Sequence, residues 1–544
     1  MDRWQRRTGY YLVVLTALII AFTFAYQYGM RAFENRPRSF IRSLQIVVET
    51  FTTTGFGSDA PWETTFMNVL VIAMDTVGTV MIFLALPVFL FPAMEDILST
   101  TVPTSVENGL SDHVVIATFS ARADTLISEL EDRGMDYILV EPDRDQAATL
   151  QEDEYNVINA EPDSVDGLRG ANVADARAVV ADVSDQVDTS IVLTAREISE
   201  DVRIVSVVED PDSTRYHELA GADVVLSPRP LLGERLAEVI STGVTTELGD
   251  GIEIGEDFEI AELLVHHGSP LAETKLAASG LRERTGINVI GAWFGGEFQT
   301  PVDPEKTLGA GTVLLVSGRE SQLERLERLP KSAVREFERG ETVIVGHGQV
   351  GQAITSALAA NDQPYTVLNL TDAPGVDVVG KASDESALRA AGVEDARSVI
   401  LAIPDDTETE FATLMMRDMN TDLDIAARTE REEAVQKMYR AGANYVLSLA
   451  QVTGRMTASA VLDDETVISM DTQVNILRTD APGLVGKTLA EADVRTRTGC
   501  TVIAVERDGT VRTDVGPEFR VKSGDQLVIA GSDEGTKRFR DLLG

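Results

Sequence analysis

The chain has 544 residues, of which 88 are acidic and 47 basic, so its formal net charge is −41. This length predicts three to five folded units, and a chain this acidic without a basic stripe excludes nucleic acid as a partner. Only eight of the basic residues are lysines. An acidic, lysine-poor surface is typical of proteins that work in molar salt, where the Debye length is about 3 Å; an ordinary acidic protein is the alternative.

Cysteine and histidine offer little material for chemistry. The single Cys500 cannot form an intrachain disulfide or a zinc site, which is consistent with a reducing cytoplasm. There are five histidines. Two of them, His266 and His267, are adjacent, and neighbours on a strand point to opposite faces. The sequence therefore predicts that these two side chains serve packing or the surface and share no metal.

Two apolar segments near the N-terminus predict a membrane hairpin. Tyr10 to Tyr28 carries no charge and approaches the ~20 residues that a spanning helix needs. Phe66 to Phe91 is long enough to span with tilt. Arginines flank the first segment on both sides, so their distribution does not orient the hairpin. The large soluble part of the chain orients it instead, and we expect the N-terminus and that part to lie in the cytoplasm.

The connection between the two segments predicts a pore lining. Residues 39–50, SFIRSLQIVVET, have the mixed apolar pattern of a short re-entrant helix. Irregular backbone at membrane depth is tolerated only where it is buried in protein or lines a water-filled path. Gly55 and Gly57 allow successive carbonyls to point the same way. A ring of such carbonyls, with a threonine hydroxyl below it, can replace the hydration shell of a potassium ion.

The segment ETFTTTGFG, residues 49–57, resembles the filter signature T-x-G-[YF]-G of tetrameric potassium channels, in particular bacterial channels with two membrane helices. The resemblance implies a selectivity filter built from Thr53, Thr54, Gly55, Phe56 and Gly57.

The same resemblance implies that Glu49 is the carboxylate that supports the filter from behind. In that family an aspartate directly follows the last glycine, whereas here Ser58 intervenes before Asp59. This insertion argues against the contact between Glu49 and Asp59 that the resemblance would otherwise imply.

Two residues of the second segment are candidates for gating and conduction. Gly78 lies where the family's inner helix has a flexible glycine. It can act as a gating hinge, or as a small residue that lets helices pack closely, and the sequence leaves both readings open. Asp75 is costly within a span unless it faces water or a partner. Facing an inner cavity, it would concentrate cations.

From Asp112 onward, short apolar strands alternate with helical patterns, which predicts parallel βαβ units. The pattern occurs twice: LRGANVADARAVV (168–180) matches LRAAGVEDARSVI (388–400), and RTGINVIGAW (284–293) matches RTGCTVIAVE (497–506). Each copy therefore contains a Rossmann-like lobe followed by a small β-rich lobe.

The second copy carries a dinucleotide fingerprint. Its first predicted strand runs into Gly346-x-Gly348-x-x-Gly351 and then into a helix. In this context the glycines allow a tight turn and the close approach of a pyrophosphate to the helix N-terminus. At the end of the next strand, Asn369 replaces the usual acidic partner of a ribose and can still hydrogen-bond hydroxyl groups.

The first copy lacks this fingerprint. When the two copies are aligned by sequence, the positions of the three glycines are taken by Ala117, Phe119 and Arg122. The side chains of Phe119 and Arg122 would fill the space that a pyrophosphate needs. Glu141 keeps the acidic end of the next strand. We predict that this copy binds no dinucleotide and serves assembly or gating.

The repeat resembles tandem RCK domains (regulators of potassium conductance), which consist of TrkA-N-type and TrkA-C-type lobes. The resemblance implies that Arg428 lies near the nucleotide; Val207 occupies this position in the first copy.

The predicted fold class is a membrane α-helical pore, with two spans and a re-entrant pore helix, fused to two Rossmann-like N-lobes, each followed by a small α+β lobe. The predicted domains are the pore (1–100), the first N- and C-lobes (110–245 and 246–328) and the second N- and C-lobes (338–462 and 463–544).

The two resemblances imply a ligand-gated potassium channel of a prokaryote, and together with the acidic composition they indicate a halophilic archaeon as its source. One filter segment per chain requires a homotetramer. Its eight RCK copies would form an octameric ring. We expect no nucleic acid among its partners. The predicted ligands are K⁺ as the permeant ion and NAD(H) or another adenine nucleotide at the second copy. A divalent cation is a further candidate, although no carboxylate loop of fixed spacing marks a metal site. A regulatory subunit of a potassium transporter and a membrane-anchored NAD-dependent oxidoreductase are the alternatives; because no catalytic residue stands out, we expect no enzyme.

Overall fold

The computed structural model describes most of the chain, and contacts divide it into two units, Met1–Thr101 and Val102–Gly544. The described residues are 3–55, 59–85, 102–106, 110–242, 244–245, 258–319, 321–323, 325–326, 341–462, 475–507, 510–512, 515–531 and 535–539.

The described residues of the first unit form three helices, α1 (Arg3–Ala32), α2 (Phe40–Phe51) and α3 (Thr65–Ala85). By length and composition, α1 from Gly9 onward and the whole of α3 can cross a membrane, each with a mean hydropathy of 1.9. The last residues of the second predicted span, 86–91, lie outside the described residues.

The short helix α2 begins where the hydroxyl of Ser39 accepts a hydrogen bond from the backbone N–H of Arg42. Its buried residues Ile46, Val47 and Phe51 pack in one apolar cluster with residues of α1 and α3. The two long helices thus hold the short one between them, which is the arrangement expected of a pore helix.

The second unit begins with a six-stranded parallel sheet of strand order β3-β2-β1-β4-β5-β6. Its strands are β1 (Val114–Ala117), β2 (Tyr137–Glu141), β3 (Val157–Asn159), β4 (Ala178–Ala181), β5 (Arg203–Val207) and β6 (Val224–Leu226). Its helices are α4 (Ala121–Asp132), α5 (Arg144–Glu152), α6 (Val165–Gly170), α7 (Asp185–Ile198), α8 (Thr214–Ala220) and α9 (Pro228–Thr242). The strands β1, β2 and β4 are buried along their whole length, as expected for a sheet covered on both faces.

The second N-lobe repeats this order as β16-β15-β14-β17-β18-β19, again all parallel. Its strands are β14 (Thr342–Val345), β15 (Tyr365–Asn369), β16 (Val378–Val379), β17 (Ser398–Leu401), β18 (Asp424–Thr429) and β19 (Tyr445–Ser448). Its helices are α11 (Gln349–Ala360), α12 (Glu385–Ala390), α13 (Asp406–Met419), α14 (Val435–Ala441) and α15 (Leu449–Leu462).

Each C-lobe is built on an antiparallel sheet, of order β11-β10-β13-β8-β7 in the first copy and β20-β23-β21-β22 in the second. The strands of the first are β7 (Val244–Thr245), β8 (Phe258–Leu264), β10 (Asn288–Phe294), β11 (Glu297–Gln299) and β13 (Val313–Arg319), beside a ribbon of β9 (Thr274–Lys275) and β12 (Thr307–Leu308). Those of the second are β20 (Asn475–Asp480), β21 (Thr501–Arg507), β22 (Thr510–Arg512) and β23 (Gln526–Gly531). The short helices are α10 (Leu281–Thr285), α16 (Leu489–Ala492) and α17 (Val494–Thr498).

The two N-lobes exchange their last helices. Helix α9 of the first copy packs on α11 of the second, and α15 of the second packs on α4 of the first. A glycine makes each contact close: a Cβ added at Gly233 would lie 2.5 Å from the carbonyl oxygen of Val350, and one added at Gly454 would lie 2.6 Å from Cβ of Thr125. The exchange buries α9 residues against the second sheet and α15 residues against the first. The predicted fold class is confirmed, and the two copies are interlocked rather than strung in series.

Candidate filter and candidate dinucleotide site

The chain leaves the C-terminus of α2 in a conformation suited to aligned carbonyls. Thr53 has a φ of +56° and Gly55 a φ of +113°, whereas Thr54 between them does not have a positive φ. The hydroxyl of Thr54 donates a hydrogen bond of 3.0 Å to the backbone carbonyl of Glu49, which ties this turn to the helix. Of the predicted filter residues, Phe56 and Gly57 lie outside the described residues.

Asp59 is fully buried and has a partner that the sequence did not suggest. The Arg38 guanidinium donates to both of its carboxylate oxygens, at 2.8 and 3.2 Å. The Tyr26 hydroxyl donates to one of them at 3.3 Å and itself accepts from the Trp62 indole at 3.2 Å. The predicted filter support Asp59 is therefore held by Arg38, in a hydrogen-bond network separate from that of Glu49, the other predicted support.

Glu49, the other predicted filter support, accepts a hydrogen bond of 2.7 Å from the side chain of Gln45. Gln45 is one turn earlier on α2, so this contact keeps the Glu49 carboxylate on its own helix rather than directing it to Asp59.

Gly78 is where α3 touches the pore helix. A Cβ added there would lie 2.6 Å from Cα of Phe51 and 3.1 Å from its carbonyl oxygen. This contact supports the close-packing reading of Gly78, since only a residue without a side chain allows the two backbones to approach so closely. Asp75 lies on the exposed side of α3, whereas its neighbour Met74 is buried.

The three fingerprint glycines of the second copy each meet a different requirement. Gly346 has a φ of +103°, which makes the tight turn out of β14. A Cβ added at Gly351 would lie 2.1 Å from the carbonyl oxygen of Gly346, so the helix must pack on the turn without a side chain. Gly348, which precedes α11, has no atom within 4 Å of where its Cβ would be. That open space at a helix N-terminus is where a pyrophosphate would lie.

The residues around this space are held in place by the protein. Oδ1 of Asn369 accepts from the backbone N–H of His347 at 3.2 Å, and its amide group donates to the carbonyl of Thr371 at 2.9 Å. Asn369 therefore supports the glycine turn in addition to standing where a ribose would bind.

Arg428, at the end of β18, is 4% exposed and forms an ion pair with Glu430. Burial and, to a smaller extent, the neighbouring cation of Arg229 lower the pKa of Arg428 to about 10. The structure thus brings Arg428 to the carboxyl edge of the sheet that carries the glycines.

In the first copy, the structure places the equivalent loop one residue away from where the sequence alignment of the two copies puts it. Strand β1 ends at Ala117 and α4 begins at Ala121, whereas β14 ends at Val345 and α11 begins at Gln349. The residues equivalent to the three glycines are therefore Thr118, Ser120 and Ala123. The prediction that placed Ala117, Phe119 and Arg122 there is wrong, because it aligned the letters without the strand ends.

Side chains close this loop of the first copy. One carboxylate oxygen of Glu141 accepts from the Thr118 hydroxyl at 2.8 Å and from the backbone N–H of Phe119 at 3.1 Å. Arg122 forms an ion pair of 2.9 Å with Asp182. The acidic residue that a ribose would need is thus engaged within the protein, which supports the prediction that the first copy holds no dinucleotide.

The adjacent histidines converge instead of diverging. Strand β8 ends at Leu264, so the alternation of a strand does not extend to His266 and His267. Nδ1 of His266 and Nδ1 of His267 lie 2.9 and 2.8 Å from the two carboxylate oxygens of Asp424. Burial alone would raise the pKa of Asp424, but these hydrogen bonds outweigh it and hold the pKa well below its usual range. Sequence reasoning missed this joint between the first C-lobe and the second N-lobe, because its partners are far apart along the chain.

Within the described residues, no group of three or more histidine, cysteine, aspartate or glutamate side chains is arranged to hold a metal ion.

Comparison with known proteins agrees with this organisation. The TrkA-N domain family matches residues 114–228 and 342–449, and the TrkA-C domain family matches residues 260–331 and 476–544. The probable potassium channel protein 2 of Methanocaldococcus jannaschii is 26% identical over 255 residues, which are 42% of this chain and 74% of that protein. The calcium-gated potassium channel TvoK of Thermoplasma volcanium is 24% identical over 293 residues, which are 50% of this chain and 80% of that protein.

Two solved structures extend the likeness to the whole molecule. The GsuK channel bound to NAD superposes with a TM-score of 0.58 at 28% identity and covers 100% of both chains. The GsuK RCK domain superposes with a TM-score of 0.58 at 30% identity, over 83% of this chain and 99% of that one. These relatives are potassium channels, not enzymes. The chain therefore belongs to the family of prokaryotic potassium channels that carry tandem RCK domains of TrkA-N and TrkA-C type.

Proposed function

We propose that this protein is a potassium-selective channel, gated by an adenine nucleotide at its second RCK copy. The observation that carries the proposal is the short helix α2, packed between two membrane-length helices and followed by positive φ angles at Thr53 and Gly55. A soluble regulator needs no such element.

Conduction requires four chains, because a ring of carbonyls around one ion cannot come from a single strand of backbone. We propose that residues 53–57 of four subunits form the filter, and that Asp75 faces a water-filled cavity below it and attracts cations. The guanidinium of Arg38 pairs with the buried carboxylate of Asp59, so no unpaired charge is left beside the mouth of the proposed filter.

Gating follows from the interlocked RCK copies. In the proposed tetramer, eight copies form a ring, and a nucleotide that prefers one width of this ring shifts the population towards it. The GsuK channel has been solved with NAD bound; for this chain, the open space at Gly348 supports NAD(H) or a related adenine nucleotide as the ligand. The N-terminus and the RCK copies are then cytoplasmic, and the protein resides in the cell membrane.

The sequence charge of −41 supports function in concentrated salt, where screening reduces repulsion between subunits. We therefore propose a halophilic source and assays in molar KCl.

The test is a reversal potential, measured with the purified protein in a planar bilayer between KCl and NaCl solutions of equal concentration. A large reversal potential, positive on the NaCl side because K⁺ crosses more readily than Na⁺, is expected, and NAD⁺ added on the RCK side is expected to change the open probability. A reversal potential near zero with measurable current would contradict potassium selectivity. A selective current that ignores NAD⁺ and other adenine nucleotides would contradict the gating proposal alone.

Two other functions explain less of the molecule. A regulatory subunit of a separate transporter would use the RCK copies but leaves α2 and its turn without a purpose. An oxidoreductase would use the glycine site, yet neither Asn369 nor Arg428 is a proton donor or acceptor suited to hydride chemistry. Absence of any current, together with NAD⁺ binding, would favour one of these two.

A further inference from the structure

The helix exchanged between the N-lobes brings part of the first copy to the nucleotide site of the second. Helix α9 lies along α11, with Gly233 against Val350, the second residue of α11. At the far end of α9, the carbonyl of Ile240 accepts a hydrogen bond from Arg397, which directly precedes β17. The two helices therefore run in the same direction, and both N-termini lie at the carboxyl edge of the second sheet.

Arg229 lies one turn before Gly233, in the first turn of α9. It is close enough to Arg428 for its charge to lower the pKa of that buried guanidinium. Two cations at one edge repel each other, and an anion between them offsets this repulsion. The N-terminal dipoles of a 15-residue helix and a 12-residue helix add to the same positive potential.

Each arginine has an acidic partner within the protein. Arg229 donates to the backbone carbonyl of Glu209 at 2.9 Å and to its carboxylate at 3.2 Å. Arg428 pairs with Glu430, while its Nε makes no hydrogen bond within the described residues although the side chain is almost fully buried. This N–H group is a buried donor without an acceptor, at the same carboxyl edge of the second sheet as Gly348.

We propose that Arg229 of the first RCK copy binds the phosphate groups of the nucleotide held by the glycine turn of the second copy. The inference rests on the proposed nucleotide gating and adds its regulation: the ligand bridges the two copies, and Glu209 competes with the phosphates for Arg229. The first copy then has a binding function, although its own loop is closed. Adenosine, a nucleoside without phosphate groups, gains nothing from Arg229.

The test is titration calorimetry with NAD⁺ on the full-length protein in detergent. Arg229→Met is expected to weaken binding roughly tenfold, the loss of one charge-assisted contact. Arg229→Lys is expected to retain most of the affinity, and Glu209→Gln to bind at least as tightly as the wild type. Adenosine, if it binds, is expected to show no difference between wild type and Arg229→Met.

Arg203→Met is the matched control for a purely structural role. Arg203 also joins the two copies, through a hydrogen bond of 2.6 Å to the carbonyl of Ala460 on α15, but it stands at the start of β5, at the opposite edge. Its replacement is expected to lower Tm without changing the affinity for NAD⁺. Equal NAD⁺ affinity in wild type and Arg229→Met would overturn the inference, as would equal losses in Arg229→Met and Arg203→Met. A wild-type protein that binds no NAD⁺ or other adenine nucleotide would overturn the proposed gating itself.

Discussion

The two N-lobes have the same strand order and the same exchanged helix, but they differ in what occupies the carboxyl edge of the sheet. In the second lobe Gly348 leaves an open space, and Arg428 is a buried cation at the same edge of the sheet. In the first lobe Glu141 closes the turn through hydrogen bonds, and Arg122 is neutralised by Asp182. A ligand site can thus be lost when its polar groups are satisfied within the protein, while the fold and the interface with the partner lobe are kept.

The largest effect is expected from Gly351→Ala in the second copy. The new Cβ would lie 2.1 Å from the carbonyl oxygen of Gly346, in a turn so crowded that a Cβ at Gly346 would itself lie 3.0 Å from the carbonyl carbon of Ala402. Neither part can move away, so we expect a loss of about 3 kcal/mol in the free energy of unfolding. The reverse change at the equivalent position, Ala123→Gly, is expected to cost about 1 kcal/mol. Thermal unfolding of both variants checks this; similar Tm values would show that the two turns are equally tolerant.

The second prediction separates stability from binding. Gly348→Val adds a side chain where no atom lies within 4 Å and where φ is −76°, so its cost to stability is expected to stay near 0.5 kcal/mol. The same side chain fills the space of the pyrophosphate, and we expect the affinity for NAD⁺ to fall about a hundredfold, which is about 2.7 kcal/mol.

The first-copy counterpart, Ser120→Ala, is expected to behave in the opposite way. The Ser120 hydroxyl caps α4 by accepting from the N–H of Ala123, so its removal is expected to cost about 1 kcal/mol in stability and leave the affinity for NAD⁺ unchanged. A loss of affinity in this variant would mean that the first copy also binds the nucleotide.

Much of this comparison could be predicted from the sequence. The repeat, the lobes and the glycine turn follow from local patterns: periodicity, strand ends and the need for positive φ at Gly346. The role of Arg38 and the convergence of His266 and His267 could not be predicted, because each depends on a partner placed by tertiary folding. The one-residue error at Thr118 has the same origin. The residue at which β1 ends is set by its pairing with β2 and β4, and the sequence of β1 alone does not reveal it.

The third prediction concerns pH. Asp188 in α7 is buried, with one carboxylate oxygen bonded to the N–H of Val183, and burial raises the pKa of this carboxyl to about 8. Between pH ~4 and ~8 the folded protein keeps a proton that the unfolded chain has lost, so Asp188 lowers stability by up to about 1.4 kcal/mol per pH unit as the pH rises. Below this window the carboxyl is protonated in both states, and above it the loss is complete.

Asp188→Thr, which copies Thr409 of the second lobe, is therefore expected to gain stability over the wild type as the pH rises from 6 to 8, by about 2 kcal/mol. Thermal unfolding at both pH values measures the change. Thr409→Ser in the second lobe has no titrating group, and its difference from the wild type is expected to stay constant. A difference for Asp188→Thr that is independent of pH would show that the carboxyl titrates normally.

The smallest effect is expected from Thr118→Gly, which gives the first copy the leading glycine of the fingerprint. Thr118 has a φ of +60°, so glycine relieves strain of about 1 kcal/mol, but the change also removes the hydroxyl that donates to Glu141, a bond of similar worth. The two terms offset each other, and we expect Tm to change little. No second nucleotide site is expected, because Phe119 and the Arg122–Asp182 pair still occupy the edge. Calorimetry with NAD⁺ in a Gly348→Val background, where the site of the second copy is blocked, measures this directly. Restored NAD⁺ binding would mean that the leading glycine alone, and not the Arg122–Asp182 pair, decides which lobe binds the nucleotide.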